Sequence, residues 1–250
     1  MELEKDMQEC PYGLYFSVKN CACEHAFGED VSVINYCLPT LQLEVPRNQS
    51  VKFEALGFVM TRITLREIDG NPNNYFEFNG RNSFINIIRL SNTYQVPQML
   101  LSFDIKVGTF DKRKAHQTVF TNHLGKACNN LPCQGSIQVL LVAQNRLRSI
   151  VITKAGKQIS LETSISIGWN RVWFVYDGSF SRIFLVMTFE HIGRDFTLKD
   201  TAHDHTDVSG PLAPRESGLL VGRPSSDKSG SYFSGGLTNV SLLKTVSLYR

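Results

Sequence analysis

Two acidic residues, Glu67 and Asp69, are the first candidates for catalysis because they share one face of a predicted strand. Hydrolysis of a glycosidic bond with retention needs two carboxylates about 5 Å apart, one as acid and one as nucleophile. The next acidic position in such a pattern, two residues after Asp69, is occupied by Asn71. A retaining pair is therefore not assembled, and the solvated end of a strand is the favoured interpretation.

Carboxylates that could bind a metal occur in a segment from 192 to 217. Asp200, Asp204 and Asp207 carry the hard oxygens that suit Ca²⁺, whereas the histidines between them suit a transition metal. The segment contains two prolines and lacks strand periodicity, which predicts a long loop at the rim of the fold that contacts a ligand. Calcium at the three aspartates is the cofactor hypothesis, and a solvated charged loop is the alternative.

Basic side chains gather at Lys112, Arg113, Lys114 and His116. Ammonium and guanidinium groups in such a cluster can hold sulfated glycans or anionic protein surfaces. We predict that these four residues bind a ligand, and a solvated face is the alternative. A second basic group is spread over a predicted hairpin at 146–157. Its two interpretations are again an anion-binding site and a solvated face.

The charge of the whole chain is balanced. It has 26 Lys and Arg against 23 Asp and Glu, a net charge of +3, without the concentrated basic patch of a nucleic-acid-binding protein. No apolar run reaches the roughly 18 residues needed to cross a bilayer. A Gly-rich phosphate loop and a Gly-x-Ser-x-Gly elbow are also missing from the sequence. We therefore expect no nucleic-acid partner, no membrane insertion and no nucleophilic catalysis.

An even number of cysteines in loop-like sequence favours disulfides and an oxidising compartment. Four of the six lie in an irregular N-terminal segment, and the other two flank an Asn-Asn-Leu-Pro turn and are predicted to pair with each other. Buried thiols and a metal site are the alternatives for the first group. The residues are Cys10, Cys21, Cys23 and Cys37 in the first group and Cys128 and Cys133 in the second.

The first residues of the sequence show no secretory signal. Because of the cysteines, we interpret the chain as a fragment of an extracellular or cell-surface protein, with an intracellular module carrying reduced thiols as the alternative. In the extracellular case, the sequons at Asn48 and Asn239 are glycosylation sites. Asn239 has the opposite strand parity to Val240, so it is expected to face solvent.

The elements that position these residues are predicted to be short strands. From Met99 to Val107, apolar residues alternate with polar ones, so Asp104 and the other polar side chains are expected to face water. Gly- and Asn-rich turns separate this strand from others with the same pattern. The sequence therefore predicts an all-β fold, an antiparallel β-sandwich over 46–250 preceded by a Cys-rich segment, 1–45.

Two tryptophans lie in one of these strands. Trp169 and Trp173 are four residues apart and share strand parity with Arg171. Core packing is the favoured interpretation for both indoles, and stacking on a sugar is the alternative.

Three groups of segments follow one another in a specific order. They are YFEFNG at 75–80 with the strand 99–107, IGWNRVWFVYDG at 167–178, and GLLVG at 218–222 followed by FSGGLTNVSL at 233–242. Together they resemble the laminin-G-like, concanavalin-A-like jelly-roll family, although Asn170 stands where the family usually has His. The resemblance implies a non-catalytic recognition or adhesion module that binds a protein or glycan through loops at one rim, notably 108–117 and 192–217, often with calcium. A polysaccharide-active enzyme of the same fold is the alternative.

Overall fold

Two antiparallel sheets pack face to face in the computed structural model, so the predicted all-β sandwich is confirmed. Helices are absent from the described ranges, and none there could span a membrane. The structure describes residues 14–17, 22–25, 41–43, 58–68, 71–87, 97–109, 116–122, 136–192, 195–213, 218–224 and 231–245.

Within the described ranges, the first sheet contains eight strands. They are β4 (Phe58–Thr61), β7 (Phe84–Ile87), β9 (His116–Thr121), β10 (Ile137–Val142), β11 (Arg146–Ile152), β12 (Gln158–Ser164), β16 (Leu219–Val221) and β17 (Ser231–Tyr232). Their order is β12-β11-β10-β9-β16-β7-β4, and β17 pairs in parallel with β9.

The second sheet also contains eight strands in the part of the chain that the structure describes. They are β3 (Leu41–Leu43), β5 (Thr64–Ile68), β6 (Asn71–Asn79), β8 (Gln98–Val107), β13 (Gly168–Asp177), β14 (Ile183–Ile192), β15 (Asp195–Asp204) and β18 (Ser234–Thr245). Their order is β15-β14-β13-β8-β18-β6-β5, and β3 pairs with β18.

The core lies between the two sheets and follows the predicted alternation. In β13, Val172, Phe174 and Tyr176 are fully buried. The neighbouring β8 buries the alternating apolar side chains from Met99 to Val107. The ring centroids of Phe103 in the second sheet and Phe120 in the first lie 4.7 Å apart. Aromatic contact across the interface therefore adds to the burial of apolar area that holds the sheets together.

The predicted hairpin at 176–179 joins β13 to β14. The Asp177 carboxylate accepts hydrogen bonds from the backbone N–H groups of Ser179, Phe180 and Ser181 at 2.9 to 3.0 Å. Burial by itself raises the pKa of Asp177, but these donors outweigh burial and leave that pKa below its usual value. The ionised carboxylate thus stabilises the turn.

The prediction of a loop over 192–217 is wrong for residues 195–204, which form β15 and pair with β14. β15 is an edge strand whose residues are all exposed or only half-buried. Because neither face of β15 is buried, its sequence lacks the alternation of apolar and polar residues that marks an interior strand.

The segment 195–213, which we call the seam, joins the two sheets along one edge. Its Asp200 accepts a hydrogen bond from the backbone of Ser164 in β12. Further along, Leu212 forms a β-bridge with Thr153, next to a hydrogen bond from the Lys154 N–H to the Pro211 carbonyl at 2.9 Å. The seam therefore has a structural role at this edge.

Most of the predicted disulfide and sequon residues cannot be placed. In the N-terminal part, β1 (Leu14–Ser17) and β2 (Ala22–His25) form a two-stranded hairpin that contains Cys23, and β3 joins the second sheet from within the predicted segment 1–45. The disulfides and the Asn48 glycan stay predictions. The residues outside the described ranges are Cys10, Cys21, Cys37, Cys128, Cys133 and Asn48.

Candidate ligand-binding face

The outward side chains of β13 form the centre of the candidate site. Because Asn170 and Val172 are buried on the inner face, Trp169, Arg171 and Trp173 lie on the outer face of the second sheet. The favoured core packing of both tryptophans is therefore wrong, since each indole is only half-buried. The predicted shared parity with Arg171 is correct.

Arg171 binds Asp104 of β8 through two hydrogen bonds. Its Nε and Nη2 donate to the two carboxylate oxygens at 2.8 and 3.0 Å, and Asn239 Nδ2 donates to Asp104 at 2.8 Å. The Asp104 side chain is only 6% exposed. Its expected exposure to water is thus wrong, because protein donors replace water around the carboxylate.

The guanidinium of Arg171 also stacks on an aromatic ring. Its central carbon lies 4.2 Å from the ring centroid of Phe196 in β15, and the Phe196 ring lies 5.0 Å from that of His191. This cation–π contact and the Asp104 bonds hold the guanidinium in one orientation. Its Nη1 has no hydrogen-bond partner among the described residues.

On the other side of Arg171, two rings meet across the sheet. Tyr75 of β6 and Trp169 of β13 lie edge to face, 5.3 Å between centroids, although β18 and β8 separate their strands. The contact depends on Gly236 of β18, where a Cβ would come within 2.7 Å of Cδ2 of Tyr75. The Lys106 ammonium lies 5.2 Å from the Tyr75 centroid.

A second indole platform lies further along β13. Trp173 packs on Phe189 of β14 with 5.7 Å between ring centroids. Trp173 follows Trp169 by four positions, a distance of about 13 Å along the strand. We call the set of outward side chains the aromatic face; it comprises Tyr75, Lys106, Trp169, Arg171, Trp173, Phe189 and Phe196.

One residue of the predicted basic ligand-binding cluster, His116, lies in the other sheet and not on this face. His116 begins β9 in the first sheet, opposite Val142. The residues Lys112, Arg113 and Lys114 lie outside the described ranges, so their role in binding stays a prediction.

Carboxylates pair with the second basic group, over 146–157. Arg146 and Arg148 both contact Glu162, at 3.1 and 2.6 Å, and Lys157 forms an ion pair with Asp207. These partners neutralise much of the positive charge, which favours the solvated-face interpretation over an anion site.

The predicted calcium ligand Asp200 is engaged within the protein. Its Oδ2 accepts the Ser164 N–H at 2.6 Å and its Oδ1 accepts the Thr201 N–H at 2.8 Å. Partial burial raises the pKa of Asp200, but hydrogen bonds from Ser164 and Thr201, together with the positive charge of Arg146, outweigh it and hold the pKa below the usual value. Asp200 acts as an acceptor that ties β15 to β12.

The other two predicted ligands have different partners. Asp204 accepts the Thr206 N–H at 2.7 Å, and Asp207 pairs with Lys157. In the part of the chain that the structure describes, no three Cys, His, Asp or Glu side chains are grouped as a metal site. Calcium binding stays a prediction, without a shared site formed by these three aspartates.

Asn239 lies at a bulge of β18 with a positive φ of 51°, a conformation that asparagine tolerates. The residue is exposed, as expected from its parity, but the amide nitrogen that would carry a glycan donates to Asp104. A glycosylated amide keeps one N–H, so the sequon stays a prediction. Its position places any such glycan beside the aromatic face.

The candidate retaining pair remains without support. Glu67 lies in β5 and Asn71 begins β6, whereas Asp69 is outside the described ranges.

Three residues of the aromatic face were not predicted as site residues: Tyr75, Lys106 and Phe196. The shared parity of Trp169 and Arg171 was the available signal, because it marks a face that combines aromatic and cationic groups.

The fold is similar to receptor-binding domains of botulinum neurotoxins. The type G domain matches with a TM-score of 0.52 and 12% identity, covering 82% of this chain and 47% of that chain. The domain of neurotoxin D matches with a TM-score of 0.50 and 14% identity, covering 84% of this chain and 50% of that chain. This chain thus spans about half the length of these structures. At such low identity, the likeness shows a shared fold.

No family model and no curated protein sequence matches the chain. The laminin-G-like resemblance therefore stays a hypothesis about family, while the sandwich that it implied is present.

Proposed function

We propose that the chain is a non-catalytic extracellular recognition module that binds a glycan on the aromatic face. The observation that carries the proposal is the half-buried Trp169 beside two cationic groups, Arg171 and Lys106, on the outer face of a sheet. An indole offers a flat apolar surface to the C–H face of a sugar ring, and neighbouring N–H groups bind its oxygens.

The carboxylates near the aromatic face support binding without catalysis. Asp104 is bound by Arg171, and Glu77 is bound by Arg66 at 2.8 Å. A glycosidase needs one carboxyl group that donates a proton and a second that attacks or activates water. Two carboxylates that are each held by an arginine are poorly suited to that exchange of protons.

The extracellular setting is supported by the number of cysteines and by the sequons. Adhesion through a glycan also agrees with the laminin-G-like resemblance. Thiol titration of the native protein tests the setting, because an extracellular module should show few or no free thiols among its six cysteines. Six titratable thiols would instead favour the intracellular alternative.

Contact through the rim segment 192–217 has less support than contact through the aromatic face. The polar groups of the seam are used between the sheets, as Asp200 and Asp207 illustrate. The segment 108–117 remains a second candidate, with a protein ligand as the alternative to a glycan.

A glycan array followed by calorimetry tests the proposal. Trp169→Ala should abolish binding of whichever glycan the wild-type protein retains, because it removes the stacking surface. The matched control is Phe180→Ala, which removes an aromatic ring that is 59% exposed in the turn at the other end of β13. Equal loss in both variants, or no glycan bound by the wild-type protein, would contradict the proposal.

A further inference from the structure

We infer that the aromatic face takes an extended, carboxylate-bearing oligosaccharide that lies along β13, with sugar rings on Trp169 and Trp173 and an acidic group at Arg171 and Lys106. This inference rests on the proposed function and specifies the class of glycan.

The spacing of the two indoles sets the length of the ligand. Trp169 and Trp173 point to the same side of one strand, about 13 Å apart. Each indole is braced by another ring, Tyr75 at 5.3 Å and Phe189 at 5.7 Å, so both platforms have a defined position. A single sugar ring is too short to contact both. A chain of several linked rings is therefore required to use the whole face.

The residues at and beside the first platform set the charge of the ligand. Arg171 lies between the two indoles in β13, and Lys106 faces Trp169 across the β8–β13 pair. The Lys106 side chain is exposed and makes no ion pair within the described ranges. Two carboxylates near this platform, Asp104 and Glu77, are each paired with an arginine, so Lys106 leaves the area with a net positive charge. It is complementary to an anion.

The Asp104 contacts make Arg171 available to a ligand. Asp104 occupies Nε and Nη2, and Asn239 and Phe196 support the arrangement from two sides. The N–H groups of Nη1 are left without a partner among the described residues. A carboxylate suits this donor, because charge-assisted hydrogen bonds to guanidinium are stronger than neutral ones. A neutral hydroxyl group at the same position would form a weaker hydrogen bond with Nη1.

Calorimetry with three probes tests the inference on the whole chain. The probes are a hyaluronan octasaccharide, with a carboxylate on alternate sugars, a neutral chitin oligosaccharide of similar length, and free glucuronic acid. The octasaccharide should bind at least about fivefold more tightly than the chitin oligosaccharide, the scale of one exposed ion pair. Glucuronic acid alone should show no measurable binding. Added salt should reduce the preference between the two oligosaccharides.

Two variants separate charge from length. Lys106→Gln should weaken binding of the carboxylated chain more than binding of the chitin oligosaccharide, so that the preference between them falls. Trp173→Ala should weaken the octasaccharide about tenfold, as expected for one lost ring contact. The control is Lys154→Gln, an exposed lysine in the turn after β11 whose hydrogen bond to the Pro211 carbonyl uses the backbone N–H. That control should leave the affinity for the octasaccharide unchanged.

The outcomes distinguish this inference from the proposed function. If both oligosaccharides bind equally and depend on Trp169, the face binds glycans but does not read a carboxylate, and the inference is wrong. If no oligosaccharide binds, both the inference and the proposed function fail.

Discussion

The seam and the aromatic face contain similar residue types but use them differently. In the seam, the Asp200 carboxylate accepts two backbone N–H groups, and Asp207 pairs with Lys157. On the aromatic face, Asp104 is equally satisfied, yet Arg171 and Lys106 keep donors without described partners. The type of a residue therefore limits the chemistry that is possible, whereas its contacts within the protein decide whether that chemistry is available to a ligand.

The contrast extends to the origin of the contacts. The seam binds mainly backbone groups of the neighbouring sheet edge, as the Thr153–Leu212 bridge shows. The contacts of the aromatic face are between side chains from different strands, as with Tyr75 and Trp169. Changes in the seam should therefore affect folding, and exposed changes in the aromatic face should mainly affect binding.

The largest expected effect is on the seam. Gly178→Ala would place a Cβ against the Gly210 carbonyl and 2.6 Å from the Tyr176 hydroxyl, where backbone atoms have little room to move. We expect the free energy of unfolding to fall by about 3 kcal/mol in urea denaturation. Gly108→Ala is the control, because a Cβ there meets no atom within 4 Å. Similar stability of both variants would contradict a tight join at Gly210.

The next largest effect is expected where the aromatic face itself is structural. Arg171→Ala leaves the nearly buried Asp104 carboxylate with Asn239 as its one described donor, so we expect the free energy of unfolding to fall by about 2 kcal/mol. Arg66→Ala is the matched control. It removes an exposed, solvent-screened ion pair with Glu77 and should lower the free energy of unfolding far less than Arg171→Ala does. An equal cost in urea denaturation would show that Asp104 is not effectively desolvated.

Acid should weaken the turn and the seam together. The pKa values of Asp177 and Asp200 are lower in the folded protein than their ordinary value of 3.8. The two ionised carboxylates therefore stabilise the fold in full when the pH is above their ordinary pKa. This stabilisation is lost as the pH falls through the lower pKa values that they have in the folded protein. We expect the midpoint of thermal unfolding to decrease below about pH 4.

Asp177→Asn sharpens this test, because an amide does not titrate. The variant should be less stable at pH 7 but should lose less further stability at low pH than the wild-type protein does. An unchanged dependence of the unfolding midpoint on pH would show that Asp177 is not among the titrating groups responsible.

The smallest effect is expected at the single hydrogen bond between Asp200 and Ser164. Asp200→Ala should lower the free energy of unfolding by about 1 kcal/mol and leave glycan affinity unchanged. Loss of glycan binding in this folded variant would move the ligand site toward the seam. The calcium hypothesis is tested on the same pair of proteins, since a site at Asp200 would raise the thermal midpoint of the wild-type protein alone when Ca²⁺ is added.

The strands of the core could be predicted from the sequence. Alternation identified β8 from Met99 to Val107, and the turn residues at Asp177 placed the hairpin between β13 and β14. These segments bury one side chain in two, so the need to exclude water leaves a period that can be read locally. β15 carries no such period, because an edge strand with polar faces buries little, and it was predicted as a loop.

The sequence by itself determined that Trp169, Arg171 and Trp173 share a face, since strand parity depends only on local geometry. Which face turns outward was decided by the tertiary structure, through the packing of Val172 and Phe174 against the other sheet. The partners of the site were decided there as well. Asn239 reaches Asp104 from 135 residues away, and Tyr75 meets Trp169 across two intervening strands. Such contacts depend on the order of strands in the sheet, which no local pattern of residues specifies.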